Sequence, residues 1–170
     1  MTIKVGDEFP QVLLKYVPYD KANPDACLSP QVLDTKKNFA GKKVVLIGVP
    51  GAFSPTCSVQ HLPAYVKNAD KIKAKGVDLI VCVAGNDFFV MEAWGKSEGV
   101  TDKIIMAGDA NGELGRATGL AIDLTKAALG PVRLTRFVAI IDNGKVTHLS
   151  TEPDPTDVTV TGADQLISAL

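Results

Sequence analysis

The sequence predicts an α/β protein with a central mixed β-sheet flanked by helices, and three features of the chain carry that expectation. Two runs rich in β-branched apolar residues, Lys43–Val49 and Val77–Ala84, have the length of buried strands. Between them, Leu62, Val66, Ala69 and Ile72 recur at helical spacing. Late in the chain, Arg136–Ile141 and Lys145–Ser150 flank Asp142-Asn143-Gly144, a strong hairpin signal. A right-handed strand–helix–strand unit makes the first two strands parallel neighbours.

The elements follow in order. Residues 1–40 are punctuated by Gly6, Pro10, Pro18, Pro24 and Pro30, which suits an irregular arm carrying short hairpin strands. The strand 43–49 ends at the turn Pro50-Gly51. Ser54 or Thr56 suits a helix cap and Pro55 a first turn, with Gly76 as C-cap. Pro63 interrupts this helix, because it lacks an N–H and its ring crowds the preceding turn. The turns around Cys57 are therefore expected to unwind more readily than the rest. Asn86-Asp87 caps a helix through about residue 96, with Val90, Met91 and Trp94 on one face. A short strand at Ile104–Ala107, a short helix at Glu113–Thr118 closed by Gly119, and a final helix at Ala163–Leu170 complete the prediction.

At 170 residues the chain fits one domain over 1–170, with a core of ordinary size. Its 46% hydrophobic and 22% charged residues are those of a soluble globular protein. A formal net charge of -1 provides no basic footprint for nucleic acid or anionic membrane. The longest apolar stretches, Val44–Pro50 and Leu79–Ala84, fall far short of the roughly 20 residues of a membrane span. The first eight residues hold no apolar leader and no Asn-x-Ser/Thr acceptor occurs, so a cytoplasmic location is expected. Ser168-Ala169-Leu170 matches the peroxisomal tripeptide only loosely. Glycines 108, 112, 115 and 119 do not have phosphate-loop spacing, and no cofactor or metal is implied.

Three cysteines, Cys27, Cys57 and Cys82, lie 30 and 25 residues apart, which makes neither a Cys-x-x-Cys pair nor a zinc pattern. Free cysteines are commonly inert core residues, and Cys82, inside Leu79-Ile-Val-Cys-Val-Ala, reads as one. Cys57 differs, because it follows a buried strand in Pro50-Gly-Ala-Phe-Ser54-Pro-Thr-Cys57. A thiol becomes a strong nucleophile only as thiolate. A helix start favours the anion, but typically by only about 0.3–1 kcal/mol, so a cationic partner is expected as well. Ser54, three residues earlier, offers a hydroxyl to the sulfur or to a bound oxygen, and Pro50 can shield the sulfur. His61, four residues on, reads as a packing or hydrogen-bonding residue near the site.

The pattern Pro-x-x-x-(Thr/Ser)-x-x-Cys is specific, and through it the chain resembles the type II, peroxiredoxin-5-like branch of the peroxiredoxins over nearly its whole length. The resemblance also rests on His61-Leu-Pro63, Lys75-Gly-Val-Asp78, Asn86-Asp87, Ala93-Trp-Gly-Lys96 and Arg136-Phe137. Asp25-Ala-Cys27-Leu-Ser-Pro30 and Thr156-Asp-Val-Thr-Val160 look closest to its fungal alkyl hydroperoxide reductase subgroup. It implies a thioredoxin-like core with an N-terminal extension and insertions, which the element order matches. It also implies Cys57 as peroxidatic cysteine, Ser54 in the Thr/Ser position, Pro50 as motif proline and Arg136 as active-site cation.

The implied reaction is reduction of hydrogen peroxide and alkyl hydroperoxides through a Cys57 sulfenic acid, resolved to a disulfide and recycled by thioredoxin. Glutaredoxin or glutathione is the alternative reductant, and a peroxide-sensing relay is the alternative function. The resemblance further implies a homodimer. Fungal relatives place the resolving thiol at Cys27 and plant relatives at the spacing of Cys82, while Val160 stands where the animal enzyme has it. Cys27, in a polar Pro-flanked loop, is the expected resolving residue.

Overall fold

The computed structural model describes residues 1–170 and is organised around a seven-stranded mixed sheet. Strands β1 (Leu13–Tyr16) and β2 (Gln31–Asp34) pair antiparallel at one edge. Helix α1 (Thr35–Phe39) follows at once, and the Asp34 carboxylate accepts the Lys36 and Lys37 amides as its N-cap. Strands β3 (Lys43–Val49), β4 (Leu79–Ala84) and β5 (Ile105–Gly108) are parallel at the centre. Strands β8 (Phe137–Asp142) and β9 (Lys145–Thr151) close the other edge as the expected hairpin. The order is β2-β1-β5-β4-β3-β8-β9. Asn143 and Gly144 take φ of 48° and 79° in the β8–β9 turn, which is why Asn-Gly stands there.

Alternation along the strands divides the core into two layers. Val45, Ile47 and Val49 of β3 pack beneath α2 (Leu62–Ala74), α3 (Phe88–Ser97) and α5 (Ala163–Ala169). Val44 and Leu46 point to the opposite layer, with Phe39 of α1 and Leu114 of α4 (Glu113–Thr118). Cys57 and Cys82 both belong to the first layer. None of the helices is long and apolar enough to cross a membrane.

Two elements escape the sequence reading. One is α1, a helix of only five residues. The other is a separate two-stranded sheet of β6 (Ala121–Leu124) and β7 (Gly130–Leu134), joined by a 3₁₀ turn at Thr125–Ala127. Pro131 inside β7 argues against a central strand by rule, and is tolerated here because each strand of a two-stranded ribbon is paired on one side only. Strand β8 starts at Phe137, one residue later than expected, which leaves Arg136 at its mouth.

Candidate active site around Cys57

After β3 the chain turns through Pro50–Phe53, with Phe53 held at a φ of 61°. The helix opens at Pro55, and Ser58 N–H donates to the Ser54 carbonyl at 2.9 Å. From Cys57 to His61 it widens into a π-helical turn, with Leu62 N–H donating to the Cys57 carbonyl, before resuming as α2. The sequence predicts a disturbance at Pro63, and the π-turn is the form it takes. Pro63 has no N–H for the carbonyl four residues back, so the i→i−4 ladder cannot run through it. Because the helix opens at Pro55, Cys57 lies in the first turn, where backbone N–H groups lack helical acceptors.

The Cys57 sulfur is fully buried. Arg136, 1% exposed, donates from Nη2 to it at 3.3 Å. The guanidinium is tied at two further points: Nε donates to the Pro155 carbonyl at 3.0 Å, and Nη1 lies 3.0 Å from His61 Nδ1. A guanidinium has donors only, so His61 Nδ1 accepts. The proton of the imidazole is therefore on Nε2, which donates to the Thr161 carbonyl at 3.0 Å. Burial, helped by the Arg136 charge, lowers the His61 pKa to about 4 and keeps the ring neutral.

Tyr65 Oη donates to the same Thr161 carbonyl at 2.7 Å. That carbonyl is fixed by Glu152, whose carboxylate accepts the backbone N–H groups of Thr159, Val160 and Thr161 and the hydroxyls of Thr159 and Thr161, at 2.7–2.8 Å. Burial alone would raise the Glu152 pKa, but these donors outweigh it and hold it down at about 2.

The other expected residues are distributed around this centre. Ser54 Oγ donates to the Gly51 carbonyl at 2.8 Å, which leaves its lone pairs as acceptors and closes the turn before the sulfur. Pro50 is buried at the end of β3, and its carbonyl lies 3.5 Å from Arg133 Nη1. Cys27 is exposed in the loop between β1 and β2, where Lys96 Nζ donates to the neighbouring Ala26 carbonyl at 3.2 Å. Cys82 is buried in β4 between Ile47 and Met106, and burial pushes its thiol pKa up. The structure thus joins Cys57 to Arg136, packs Ser54 and Pro50 in the preceding turn, and keeps Cys27 at the surface.

Sequence reasoning missed Glu152, Asn86 and Arg133 as parts of the site. The sequence places Asn86-Asp87 together at a helix cap, but Asp87 alone caps α3, and Asn86 Oδ1 instead accepts Ala52 N–H at 2.9 Å and an Arg133 Nη1–H at 3.2 Å. It holds the Pro50–Ser54 turn against β7. The Asn-Asp dipeptide was the available signal, since one cap needs only one of the two side chains.

The arrangement delivers one sulfur, one undischarged cation and several fixed donors to a buried point, which suits attack on a small polar oxidant. The Redoxin family model matches residues 4–167. Peroxiredoxin Pen c 3 of Penicillium citrinum is 37% identical over 174 residues, covering 100% of both chains. Reduced Prx3 of Vibrio vulnificus in complex with hydrogen peroxide superposes with a TM-score of 0.87 at 40% identity, covering 99% of each chain. Peroxiredoxin 5 of Alvinella pompejana gives 0.80 at 36%, over 98% of this chain and 97% of that one. The chain belongs to the redoxin family, as a peroxiredoxin of the type II, peroxiredoxin-5-like branch, and is a thiol-dependent peroxidase.

Proposed function

We propose that Cys57 is the peroxidatic sulfur, with Arg136, Ser54 and Pro50 as its active-site partners, and that Cys27 resolves the oxidised form. The observation that carries this reading is the 3.3 Å contact from the Arg136 guanidinium to the Cys57 sulfur inside a buried site. As thiolate, Cys57 attacks the terminal oxygen of ROOH. The S–O bond forms as the O–O bond breaks, and the sulfur loses two electrons to become a sulfenic acid. The departing alkoxide takes a proton and leaves as ROH. Arg136 and the Cys57 N–H stabilise the charge on the leaving oxygen, Ser54 Oγ accepts from the peroxide O–H, and Pro50 keeps bulk water away.

The sulfenic acid then condenses with the Cys27 thiol, releasing water and forming a disulfide. Cys27 is exposed and Cys57 fully buried, so the first helical turn must open for the sulfurs to meet. The π-turn and the missing Pro63 N–H lower the number of backbone bonds that opening breaks. The bond joins two subunits of a homodimer in this reading, and a thioredoxin dithiol reopens it by two exchange steps, leaving as its own disulfide. The substrates are hydrogen peroxide and small alkyl hydroperoxides, and the site of action is the cytoplasm.

The test is an assay coupling the protein to thioredoxin, thioredoxin reductase and NADPH. Sustained peroxide-dependent loss of NADPH that disappears in Cys57→Ser is expected. Turnover only with glutaredoxin and glutathione would replace the reductant. Oxidation of Cys57 without turnover under either system would make the chain a peroxide-sensing relay.

A further inference from the structure

We infer that His61 and Glu152 are positioning residues that aim the Arg136 guanidinium at the Cys57 sulfur while leaving its charge unneutralised. The inference rests on the reading of Cys57 as the peroxidatic sulfur. Arg136 is a buried cation, yet none of the four salt bridges of the chain includes it. Its acceptors are a neutral imidazole, a backbone carbonyl and the sulfur. A buried charge ordinarily demands an ion-pair partner. Here the partner left for it is the anion on the reacting sulfur.

This explains why residue 61 is a histidine. A carboxylate at that place would set a full negative charge against Nη1 and weaken the field that the sulfur and the leaving oxygen use. A purely apolar residue would leave Nη1 without an acceptor and the Pro155 carbonyl as the one protein oxygen orienting the fork. Neutral imidazole supplies a directional lone pair and no charge. It can do so only in the Nε2–H tautomer, and the Thr161 carbonyl selects that tautomer.

The Thr161 carbonyl is placed in turn by Glu152. That carboxylate spends its charge on five donors from Thr159, Val160 and Thr161. It thereby folds the segment after β9 into a rigid cup. The same segment supplies the Pro155 carbonyl to Arg136 Nε and the Thr156 carbonyl to Thr56 Oγ1, next to Cys57. The order of control runs from Glu152 through Thr161 and His61 to Arg136.

The experiment compares His61→Asn with His61→Gln. Asparagine puts an oxygen near the Nδ1 place and keeps the Arg136 contact, whereas glutamine reproduces the Nε2 place and loses it. The readout is the second-order rate of Cys57 oxidation by hydrogen peroxide in a single turnover. It can be followed by fluorescence of Trp94, whose Nε1 donates to Ser58 Oγ beside the sulfur. His61→Asn is expected within about threefold of the parent and His61→Gln about ten- to a hundredfold slower, the scale of losing one oriented donor at a reacting oxygen. Glu152→Gln, which weakens the cup without removing any hydrogen bond of the Arg136 guanidinium, is expected to slow oxidation by a smaller factor. Equal rates in the two His61 variants, whether both fast or both slow, overturn the inference. Thermal melts establish that both are folded, and if either is not, His61→Glu provides the test, with a slow folded enzyme expected and a fast one overturning it. Cys57→Ser retaining peroxidase activity would instead remove the reading on which the inference stands.

Discussion

Acid should destabilise this protein through His61 well before its carboxylates respond. The ring is neutral in the fold because burial and the adjacent Arg136 lower its pKa from 6.5 to about 4. The unfolded chain therefore binds a proton between those values that the folded chain refuses. Stability from this group is complete above about pH 6.5 and is lost as pH falls through about 4. Between about pH 7.5 and about pH 5 the loss comes to about 2 kcal/mol. Over the same interval Glu152, shifted from 4.5 to about 2, loses only about 0.2 kcal/mol, since its window lies lower. With a urea slope of about 2 kcal/mol per M, the midpoint should fall by about 1 M. Urea titrations of the reduced protein at the two pH values, at fixed protein concentration and followed by Trp94 fluorescence, measure it. His148, the second of the two histidines, is also lowered by burial and contributes with the same sign. The decisive quantity is therefore the difference between the parent and His61→Asn, whose midpoint should drop by about 1 M less. An equal acid shift in both proteins would refute a neutral buried His61.

Three other outcomes are expected. Cys27→Ser should oxidise Cys57 at the parental single-turnover rate but lose thioredoxin-driven recycling, measured as NADPH consumption; recycling lost in Cys82→Ser alone would shift the resolving role to the buried thiol. Asn86→Ala removes the acceptor of the Ala52 amide and of Arg133, and should cost about 1 kcal/mol in denaturant titration and slow Cys57 oxidation. Gly108→Ala would set a Cβ 2.7 Å from the Asn86 carbonyl oxygen and from the Phe88 nitrogen, backbone atoms that cannot step aside. A loss of about 1–3 kcal/mol is expected, and an unchanged melting curve would show that the β5 contact yields more easily than the packing implies.

The central strands were legible because burial on both faces demands continuous apolar runs, as in Lys43–Val49 and Leu79–Ala84. The β8–β9 hairpin was legible because its turn needs positive φ, which Asn143-Gly144 supplies. The β6–β7 ribbon was not, since Gly130-Pro131-Val-Arg-Leu134 carries a proline and its strand partner is a four-residue segment, Ala121–Leu124, reached through a 3₁₀ turn. The π-turn was half visible, in that Pro63 announced a disturbance but not its form.

For the site, local sequence by itself singled out Cys57 as the candidate nucleophile, because a strand end, a proline, a hydroxyl and a cysteine within eight residues form one continuous turn. It also marked Arg136, as a cation opening a late strand. Only the tertiary structure decided that Arg136 meets Cys57 across 79 positions of chain and His61 across 75. Glu152 had no signal of its own, because its partners are backbone amides, and every residue type offers those. Local rules describe what a few residues impose on their own backbone. The aim of a buried guanidinium is set by three segments that meet only when the chain folds.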